Sequence, residues 1–258
     1  MKNKLHLRNI EGKNIGSLAS VYKEVFSGHP WHEDLACDNC GTPYASELCE
    51  RYDLNKEQKV VNDCRNGYTL RNDVFLLPKG GLDSCVECEK PLELVDFYPN
   101  FVNHQELIDE ALDKEGFEGF MLYDENRPIG FSWGYMVPDK KTTSVNFPKV
   151  KDLLNNEGFV PNKTFYGAES GIIDSYQNRG LGSVLVAKRL EKAAKRNFEH
   201  FVNRTINPAM GIITSKTLSG KPPRDLFKDP ERNSKWFGWD IKNLDQEYLT
   251  KVMDRLGK

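Results

Sequence analysis

The sequence predicts an α+β domain that is interrupted by a cysteine-rich insert. Apolar residues recur at helical spacing in several segments, whereas two neighbouring aromatic-rich runs around a polar turn indicate a hairpin of long strands. All six cysteines fall between Leu35 and Leu92, in a segment with little regular periodicity. We therefore expect a domain built from residues 1–34 and 93–258, with an inserted module over residues 35–92.

The first predicted elements are a strand and a helix. A short alternating run at His6–Ile10 indicates the strand, and apolar residues between Ile15 and Phe26 follow at helical spacing. A glycine and a proline then end this helix. After the insert, Asn103 is the expected N-cap of a second helix that continues through Leu112.

The remainder of the domain is predicted to alternate strands and helices. The predicted elements are hairpin strands at 117–123 and 129–137, a short helix at 150–154, a strand at 164–174, a helix at 184–194, a strand at 198–206, a helix at 208–218 and a strand at 234–241. A glycine loop at 180–182 joins the strand at 164–174 to the next helix. That helix carries a basic face predicted to lie outside, which consists of Lys188, Arg189, Lys192, Lys195 and Arg196.

Composition and charge exclude several classes of protein. Lys and Arg number 36 against 38 Asp and Glu, so the net charge of −2 gives no electrostatic indication of nucleic-acid binding. Hydrophobic residues make up 38% of the chain, which supports a buried core. No apolar run approaches the roughly 18 residues of a membrane span, and the first residues lack the apolar core of a signal peptide. The expected location is cytoplasmic.

The segment Gln177–Ser183 is predicted to bind an anion. It places two glycines at the first turn of a helix, where backbone N–H groups are unpaired and the helix dipole is positive. A side chain at Gly180 or Gly182 would keep a phosphate from approaching the backbone. The alternative is an ordinary strand-to-helix turn. The spacing matches neither a P-loop nor a dinucleotide-binding loop.

This loop resembles the pyrophosphate motif of the GNAT acyltransferase superfamily, Gln/Arg-x-x-Gly-x-Gly/Ala, and the order of the predicted elements is similar. The resemblance covers residues 1–34 and about 100–241. It implies a mixed, mostly antiparallel central sheet flanked by helices, with acetyl-CoA as co-substrate. The implied acetyl-CoA contacts are Ile172, Ile173 and Asp174 along the pantetheine arm, Gln177, Asn178, Arg179, Gly180, Leu181, Gly182 and Ser183 at the pyrophosphate, and Asn207.

Glu169 is the predicted catalytic residue. Acyl transfer to an amine needs a neutral nucleophile, and amines are mostly protonated at neutral pH, so a general base helps. Several members of the family place a carboxylate base on this strand, a few residues before the loop. The alternative is a solvent-facing strand glutamate without a catalytic role.

The tyrosine that usually serves as the acid in this family is missing from its expected position. The pattern that begins at Asn207 continues with Ile213 where tyrosine is expected. Thr214 and Ser215 are nearby hydroxyls, but their high pKa makes them poor acids. Either bulk water protonates the leaving thiolate, or the domain binds acyl-CoA without fast turnover.

The segment 27–34 follows the first helix, in the region that lines the acceptor site in GNAT proteins. Its two histidines, two carboxylates and Trp31 suit a cationic or aromatic acceptor, unless the segment is a polar loop anchored by Trp31. We expect a small-molecule or peptide amine as acceptor, no nucleic-acid partner and no membrane. The oligomeric state is open, with a homodimer as one alternative.

Two Cys-x-x-Cys pairs predict a structural zinc site. The pairs Cys37/Cys40 and Cys85/Cys88 each form a turn that directs two thiolates into one space, and together they complete a tetrahedral four-sulfur site. Without a secretion signal, this spacing favours metal binding over disulfides. Four thiolates leave no open position for catalysis. The module resembles a zinc ribbon.

Two other classes of function stay open at this point. The missing tyrosine admits a non-catalytic acyl-CoA-binding protein, and the cysteine module admits an adaptor whose zinc ribbon recognises a partner. Cys49 and Cys64 lack partners at ligand spacing, so we expect both to be structural residues.

Overall fold

A computed structural model describes residues 5–27, 35–40, 43–45, 75–76, 83–96, 104–142, 145–205, 208–229 and 235–257 of the 258-residue chain. The chain divides into two compact units. One consists of Met1–Val21 and Gln105–Lys258, and the other of Tyr22–His104. The boundaries predicted for the insert, residues 35 and 92, stay a prediction.

The regular elements follow the chain in a nearly alternating order. The strands are β1 (Leu5–Asn9), β2 (Leu35–Cys37), β3 (Pro43–Ala45), β4 (Phe75–Leu76), β5 (Leu94–Asp96), β6 (Glu118–Asp124), β7 (Arg127–Met136), β8 (Thr164–Ile172), β9 (His200–Thr205), β10 (Arg224–Lys228) and β11 (Lys235–Asp240). The helices are α1 (Ile15–Ser27), α2 (His104–Leu112), α3 (Phe147–Asn156), α4 (Leu181–Lys195), α5 (Pro208–Thr217) and α6 (Gln246–Met253).

A mixed sheet forms the framework of the larger unit. Over the described ranges it has seven strands in the order β1-β6-β7-β8-β9-β11-β10. Each neighbouring pair is antiparallel except β8 and β9, which are parallel. Helices cover this sheet, so the structure confirms the predicted fold class of a mixed, mostly antiparallel sheet flanked by helices.

Aromatic and aliphatic side chains hold the helices on the sheet. On one face, Phe147 of α3 lies 6.5 Å from the ring of Tyr135 and 5.2 Å from that of Tyr166, measured between ring centroids. Burial of a side chain of this size stabilises the fold by roughly 1.5–3 kcal/mol. The opposite face packs on α4 through a cluster that contains Phe165, Val186, Leu190, Ala193 and Phe201.

In the larger unit, the sequence analysis did not predict β10 and α6, and in the smaller unit it predicted none of the short strands β2 to β5. β10 carries three charged residues in five, and it forms an antiparallel pair with β11. α6 has only eight residues and packs against α4 through Leu249 and Val252. Short elements of this kind depend on tertiary contacts more than on their own periodicity.

One part of the predicted basic face on α4 is wrong. Arg189 is fully buried, and it lies on the apolar stripe of the helix rather than outside. The other members of this basic face, Lys188, Lys192, Lys195 and Arg196, are partly or fully exposed to solvent. Glu191 pairs with Lys188 at 2.8 Å and with Lys195, while Glu118 pairs with Arg196 at 2.7 Å. These carboxylates neutralise much of the positive charge.

The smaller unit contains a sheet of short strands. In the part of this unit that the structure describes, the strand order is β4-β3-β2-β5. Several predictions lie outside the described residues, namely the helix cap at Asn103, Cys49, Cys64, Asn207 and the segment 28–34. Among the described helices of the whole chain, none is long and apolar enough to cross a membrane.

Candidate functional site

The predicted anion loop opens α4 with unpaired backbone groups. Gly180 precedes the helix with a left-handed φ of 75°, and Asn178 is left-handed as well, with a φ of 59°. Turns of this kind bring successive backbone N–H groups to one concave side. No side chain of the described residues caps the first turn of α4. Its N–H groups and positive dipole end are therefore directed at solvent or a ligand.

Side chains within the loop fix its shape. The Gln177 amide donates one hydrogen bond to the Ile172 carbonyl at 3.1 Å and another to the Asp174 carboxylate at 3.0 Å. Arg179 donates to the Ser175 carbonyl at 2.7 Å. These three polar residues of the predicted site thus bind the loop itself in this structure.

The two loop glycines differ in what surrounds them. A Cβ at Gly180 would lie 2.1 Å from Nη1 of Arg255, which donates a hydrogen bond to the Gly180 carbonyl at 3.0 Å. Among the residues that the structure describes, a Cβ at Gly182 would meet only Cδ1 of Ile213, at 3.7 Å. The fold therefore requires glycine at 180, because of both its φ and its contact with Arg255. Gly182 leaves open space beside the first turn of α4.

β8 and β9 separate several residues before this loop. Their parallel register runs from Thr164 opposite His200 to Gly167 opposite Asn203 and then ends. At the last pair, the Asn203 amide donates to the Gly167 carbonyl at 3.1 Å. From Ala168 onwards, β8 has only β7 as a strand partner among the described residues. This free edge can pair with an extended ligand through backbone hydrogen bonds.

Glu169 lies directly after a β-bulge in β8. Trp133 pairs with Glu169 whereas Gly134 pairs with Gly167, so Ala168 is an extra residue in β8. Bulges of this kind redirect side chains and are frequent beside active sites. Glu169 is half-buried and lines a small pocket in the larger unit. The other lining residues are Leu107, Glu110, Ala111, Lys114, Trp133, Tyr135, Thr142 and Ala168.

The pocket combines carboxylates with aromatic rings. Glu110 pairs with Lys114 at 3.0 Å, which leaves Glu169 as the second carboxylate of the lining. Burial is the main cause that raises the pKa of Tyr135 far above its usual range, and the nearby carboxylates of Glu169 and Glu110 add to it. The phenol thus keeps its proton and acts as a hydrogen-bond donor. This set suits a small cationic or hydrogen-bonding group.

α5 offers no tyrosine near the glycine loop. Ile213 lies beside Gly182, as the contact above shows, and belongs to the apolar cluster under α4. The Ser215 hydroxyl accepts a hydrogen bond from the Trp239 indole at 3.3 Å. Thr214 is buried, and its hydroxyl has no hydrogen-bond partner among the described residues. No side chain of α5 is thus a strong acid.

The four predicted zinc ligands form one cluster in the smaller unit. The sulfurs of Cys37, Cys40, Cys85 and Cys88 all lie within 4.8 Å of one another. Two sulfur distances between the pairs are 3.9 Å, from Cys37 to Cys88, and 3.6 Å, from Cys40 to Cys85. A tetrahedral zinc site with normal Zn–S bonds requires sulfur separations of about 3.8 Å. These distances fit zinc and are too long for disulfides.

Charge within the cysteine cluster also favours a cation. Burial opposes ionisation of Cys85, but backbone N–H groups and the Tyr44 hydroxyl lower the pKa of this thiol to about 6. At Cys88, the backbone N–H of Lys90 favours the thiolate, yet burial and the three neighbouring sulfurs raise the pKa to about 11. Four adjacent thiols cannot all ionise alone. A divalent cation removes this conflict.

Two residues of these sites were missed by sequence reasoning. Tyr44 is fully buried beneath the cysteines, donates a hydrogen bond to Cys85 at 3.3 Å and accepts one from the Val86 N–H at 3.1 Å. Arg255 follows the glycine loop by 75 positions in the sequence and donates a hydrogen bond to the Gly180 carbonyl. Neither contact has a local sequence signal, because both join residues more than 40 positions apart.

Comparisons with known proteins agree with the resemblance in the loop. Residues 87–210 match the model of the acetyltransferase (GNAT) family. No curated protein sequence matches the chain. Among solved structures, it is similar to the PaiA N-acetyltransferase of Thermoplasma acidophilum in complex with coenzyme A, at 9% identity over 93% of this chain and 99% of that chain, with a TM-score of 0.45.

Two further solved structures are similar at low identity. The spermidine/spermine N-acetyltransferase SpeG of Vibrio cholerae is 10% identical over 98% of both chains, with a TM-score of 0.42. An acetyltransferase of Thermus thermophilus is 13% identical over 93% of this chain and 99% of that chain, with a TM-score of 0.40.

Proposed function

We propose that this chain, whose residues 87–210 match the GNAT acetyltransferase family model, transfers the acetyl group of acetyl-CoA to an amine. The observation that carries this proposal is the uncapped first turn of α4, with open space at Gly182, beside the point where β8 and β9 separate. The pyrophosphate takes the helix N-terminus, where backbone N–H groups and the dipole favour anions. The pantetheine arm pairs with the free edge of β8 near Ile172, Ile173 and Asp174.

Glu169 acts as the general base in this proposal. It removes a proton from the acceptor ammonium, directly or through a water molecule, so that the amine nitrogen has a free electron pair. The nitrogen then attacks the thioester carbonyl and a C–N bond forms. As the C–S bond breaks, the nitrogen releases its second proton to water and becomes the amide nitrogen. The electron pair of the C–S bond leaves with the sulfur, which takes up a proton. Because α5 has no tyrosine, we assign this last proton to water.

A non-catalytic acyl-CoA-binding protein is the second candidate function. The absence of a tyrosine from α5 favours it, because an unassisted thiolate leaves slowly. Such a protein would bind acetyl-CoA at the same loop without releasing its thiol. An adaptor that uses the cysteine module for recognition is a further alternative, and it predicts no affinity for acetyl-CoA at all.

We also propose that Cys37, Cys40, Cys85 and Cys88 hold one zinc ion. Support comes from the sulfur separations and from the Tyr44 hydrogen bond, which orients one of the ligands. With four thiolates bound, zinc has no position for an activated water. The metal thus stabilises the smaller unit and takes no part in acetyl transfer.

We also propose the chemical class of the acceptor. The pocket around Glu169 offers a carboxylate, two aromatic rings and a hydroxyl, which suits a primary amine of a small molecule or peptide. Residues 28–34 of the predicted acceptor segment 27–34 lie outside the described residues, as does Asn207, and both stay predictions together with the cytoplasmic location.

Gly182→Trp tests the coenzyme site. We expect this variant to fold, because a Cβ at 182 is only in ordinary van der Waals contact with Ile213 among the described residues. We expect it to lose acetyl-CoA affinity by about 10- to 100-fold, since the indole blocks hydrogen bonds from the backbone to the charged pyrophosphate. Titration calorimetry with acetyl-CoA measures the loss. Gly211→Ala is the matched control, because nothing lies within 4 Å of a Cβ at that position. Unchanged affinity in a folded Gly182→Trp protein contradicts the assignment of the loop.

Arg255→Ala tests how the loop is held. Removing the hydrogen bond to the Gly180 carbonyl frees the loop that must be ordered around the pyrophosphate, so we expect the Kd for CoA to rise about 10-fold. Lys251→Ala removes an exposed cation from the same C-terminal region and serves as the control. If both substitutions weaken CoA binding equally, the loss of one positive charge explains the effect, and the hydrogen bond between Arg255 and Gly180 does not.

A further inference from the structure

Arg189 is a fully buried cation at the centre of the sheet. Its Nη1 atom donates to the Trp133 carbonyl at 2.9 Å, to the Glu169 carbonyl at 3.2 Å and to the Ser170 hydroxyl at 3.0 Å. The guanidinium lies 5.3 Å from the ring centroid of Phe201. Burial lowers the pKa of Arg189 to about 10, so the group remains charged at neutral pH.

These hydrogen bonds join the two strands across the bulge in β8. The bulge interrupts the β7–β8 ladder between Trp133 and Gly134. Arg189 donates to the Trp133 carbonyl on one side of this step and, on the facing strand, to the backbone carbonyl of Glu169. The same nitrogen therefore fixes both sides of the irregular step.

Glycine makes room for the guanidinium at this level of the sheet. A Cβ at Gly167 would lie 2.8 Å from Nη2 of Arg189 and 2.6 Å from Cζ of Phe201. Gly167 is also the last residue that pairs with β9. The buried guanidinium thus lies where β8 and β9 separate, directly before the bulge at Ala168.

The placement of this charge is costly for stability alone. Nε and Nη2 of Arg189 have no hydrogen-bond partner among the described residues, although the side chain is fully buried. Apolar side chains of similar volume often replace buried charges without loss of stability. A feature that costs stability in this way indicates a contribution elsewhere, and its three hydrogen bonds all end at the bulge or beside it.

We propose that Arg189 is a positioning residue, which locks the β-bulge at Ala168 and thereby aims the carboxylate of Glu169 into its pocket. This inference rests on the proposed acetyl transfer and goes beyond it. Arg189 approaches β8 through the backbone of Glu169 and the hydroxyl of Ser170, whereas the Glu169 side chain lines the pocket with α2 and β7. It therefore acts on the base and does not touch the acceptor.

The charge of Arg189 also acts on the ionisation of Glu169. The carboxylate of Glu169 and the cation of Arg189 stabilise each other's charged forms. Among the described residues, the other charged and titratable groups around Glu169 are Glu110 on α2, Lys114 in the turn after α2, Tyr135 on β7 and Tyr166 on β8. Lys114 pairs with Glu110, whereas the charge of Arg189 acts on the Glu169 carboxylate.

The test compares Arg189→Met with Arg189→Lys. Methionine fills similar space without charge or donor, so we expect kcat to fall about 10- to 100-fold through misplacement of Glu169, with the KM for acetyl-CoA unchanged. Loss of the cation raises the pKa of Glu169, which moves the acidic limb of the kcat/KM profile to higher pH by about one unit. Lysine can make all three bonds from one nitrogen, so it restores much of kcat and the wild-type pH profile.

Two control variants separate this role from general effects. Arg224→Met removes an exposed arginine that also lies over an aromatic ring, Phe159, at 4.8 Å, and we expect no change in rate or pH profile. Ser170→Ala removes one of the three acceptors and should shift kcat in the same direction by less. It keeps the test decisive even if Arg189→Met does not fold.

Hydrogen exchange measured by mass spectrometry provides a readout that is independent of activity. We expect amides of the segment 168–170 to exchange at least about 10-fold faster in Arg189→Met than in the wild type, while those of β6 are unchanged. Unchanged exchange in 168–170, or an acidic limb that stays in place when kcat falls, overturns the inference. If the wild-type protein transfers no acetyl group, the proposed function fails, and the exchange rates alone decide whether Arg189 holds the bulge.

Discussion

Glu169→Gln should lower the rate of acetyl transfer by about 100-fold or more while acetyl-CoA binding stays intact. Glutamine keeps the size of the side chain but cannot accept the proton of the acceptor ammonium. Glu169 stands after the bulge in β8 and lines the pocket, whereas the loop that binds the coenzyme in our proposal begins several residues later. Loss of the carboxylate thus affects the chemical step and leaves the coenzyme site unchanged.

The pH profile makes this expectation specific. If ionised Glu169 is the base, kcat/KM rises with pH as its carboxyl group deprotonates, and this limb disappears in Glu169→Gln. Glu157→Gln is the matched control, because Glu157 is a partly exposed carboxylate that pairs with Arg224 at 3.4 Å. A Glu169→Gln enzyme with wild-type rates between pH 6 and pH 9 removes Glu169 from the mechanism.

Cys85→Ser should reduce bound zinc from about one equivalent to nearly none. Cys85 is buried, lies 3.6 Å from Cys40 and accepts the Tyr44 hydrogen bond, so its loss removes both a ligand and its orientation. Structural zinc in small four-ligand sites contributes about 10–16 kcal/mol to folding at neutral pH. We therefore expect the smaller unit to lose its protection against proteases, with the acetyl-CoA affinity nearly unchanged.

Metal analysis of protein purified under reducing conditions measures this effect directly. Cys64→Ser is the control, because Cys64 has no partner at ligand spacing and should leave the zinc content at one equivalent. Wild-type protein with less than about half an equivalent of zinc, and with all four ligand thiols freely alkylated in the native state, contradicts a structural zinc site.

Local signals in the sequence were sufficient for most of the framework. Helical stripes and the hairpin around residues 124–127 correspond to α1, α4, β6 and β7, because burial of one face sets the periodicity of each element. The spacing of the four cysteines likewise predicted a cluster that the structure brings together. For the helices and strands, and for each Cys-x-x-Cys pair, the information lies within a few consecutive residues.

Long-range contacts account for what the sequence did not reveal. Arg189 was assigned to a solvated face by its charge, although its position three residues after Val186 and four before Ala193 lies on the apolar stripe. Its partners are on β7 and β8, more than 15 residues away. The bulge at Ala168 and the contact between Arg255 and Gly180 arise from packing between distant segments, which periodicity cannot express.

Acetyl-CoA turnover tests the central claim most directly. Release of the CoA thiol is followed with a panel of primary amines, peptides and polyamines, and mass spectrometry identifies the acetylated product. We predict that the thiol appears only when a suitable amine is present, in a one-to-one ratio with acetylated amine, and that Glu169→Gln slows both together. Saturable binding of acetyl-CoA without amine-dependent thiol release across the whole panel would contradict acetyl transfer and identify a non-catalytic acyl-CoA-binding protein.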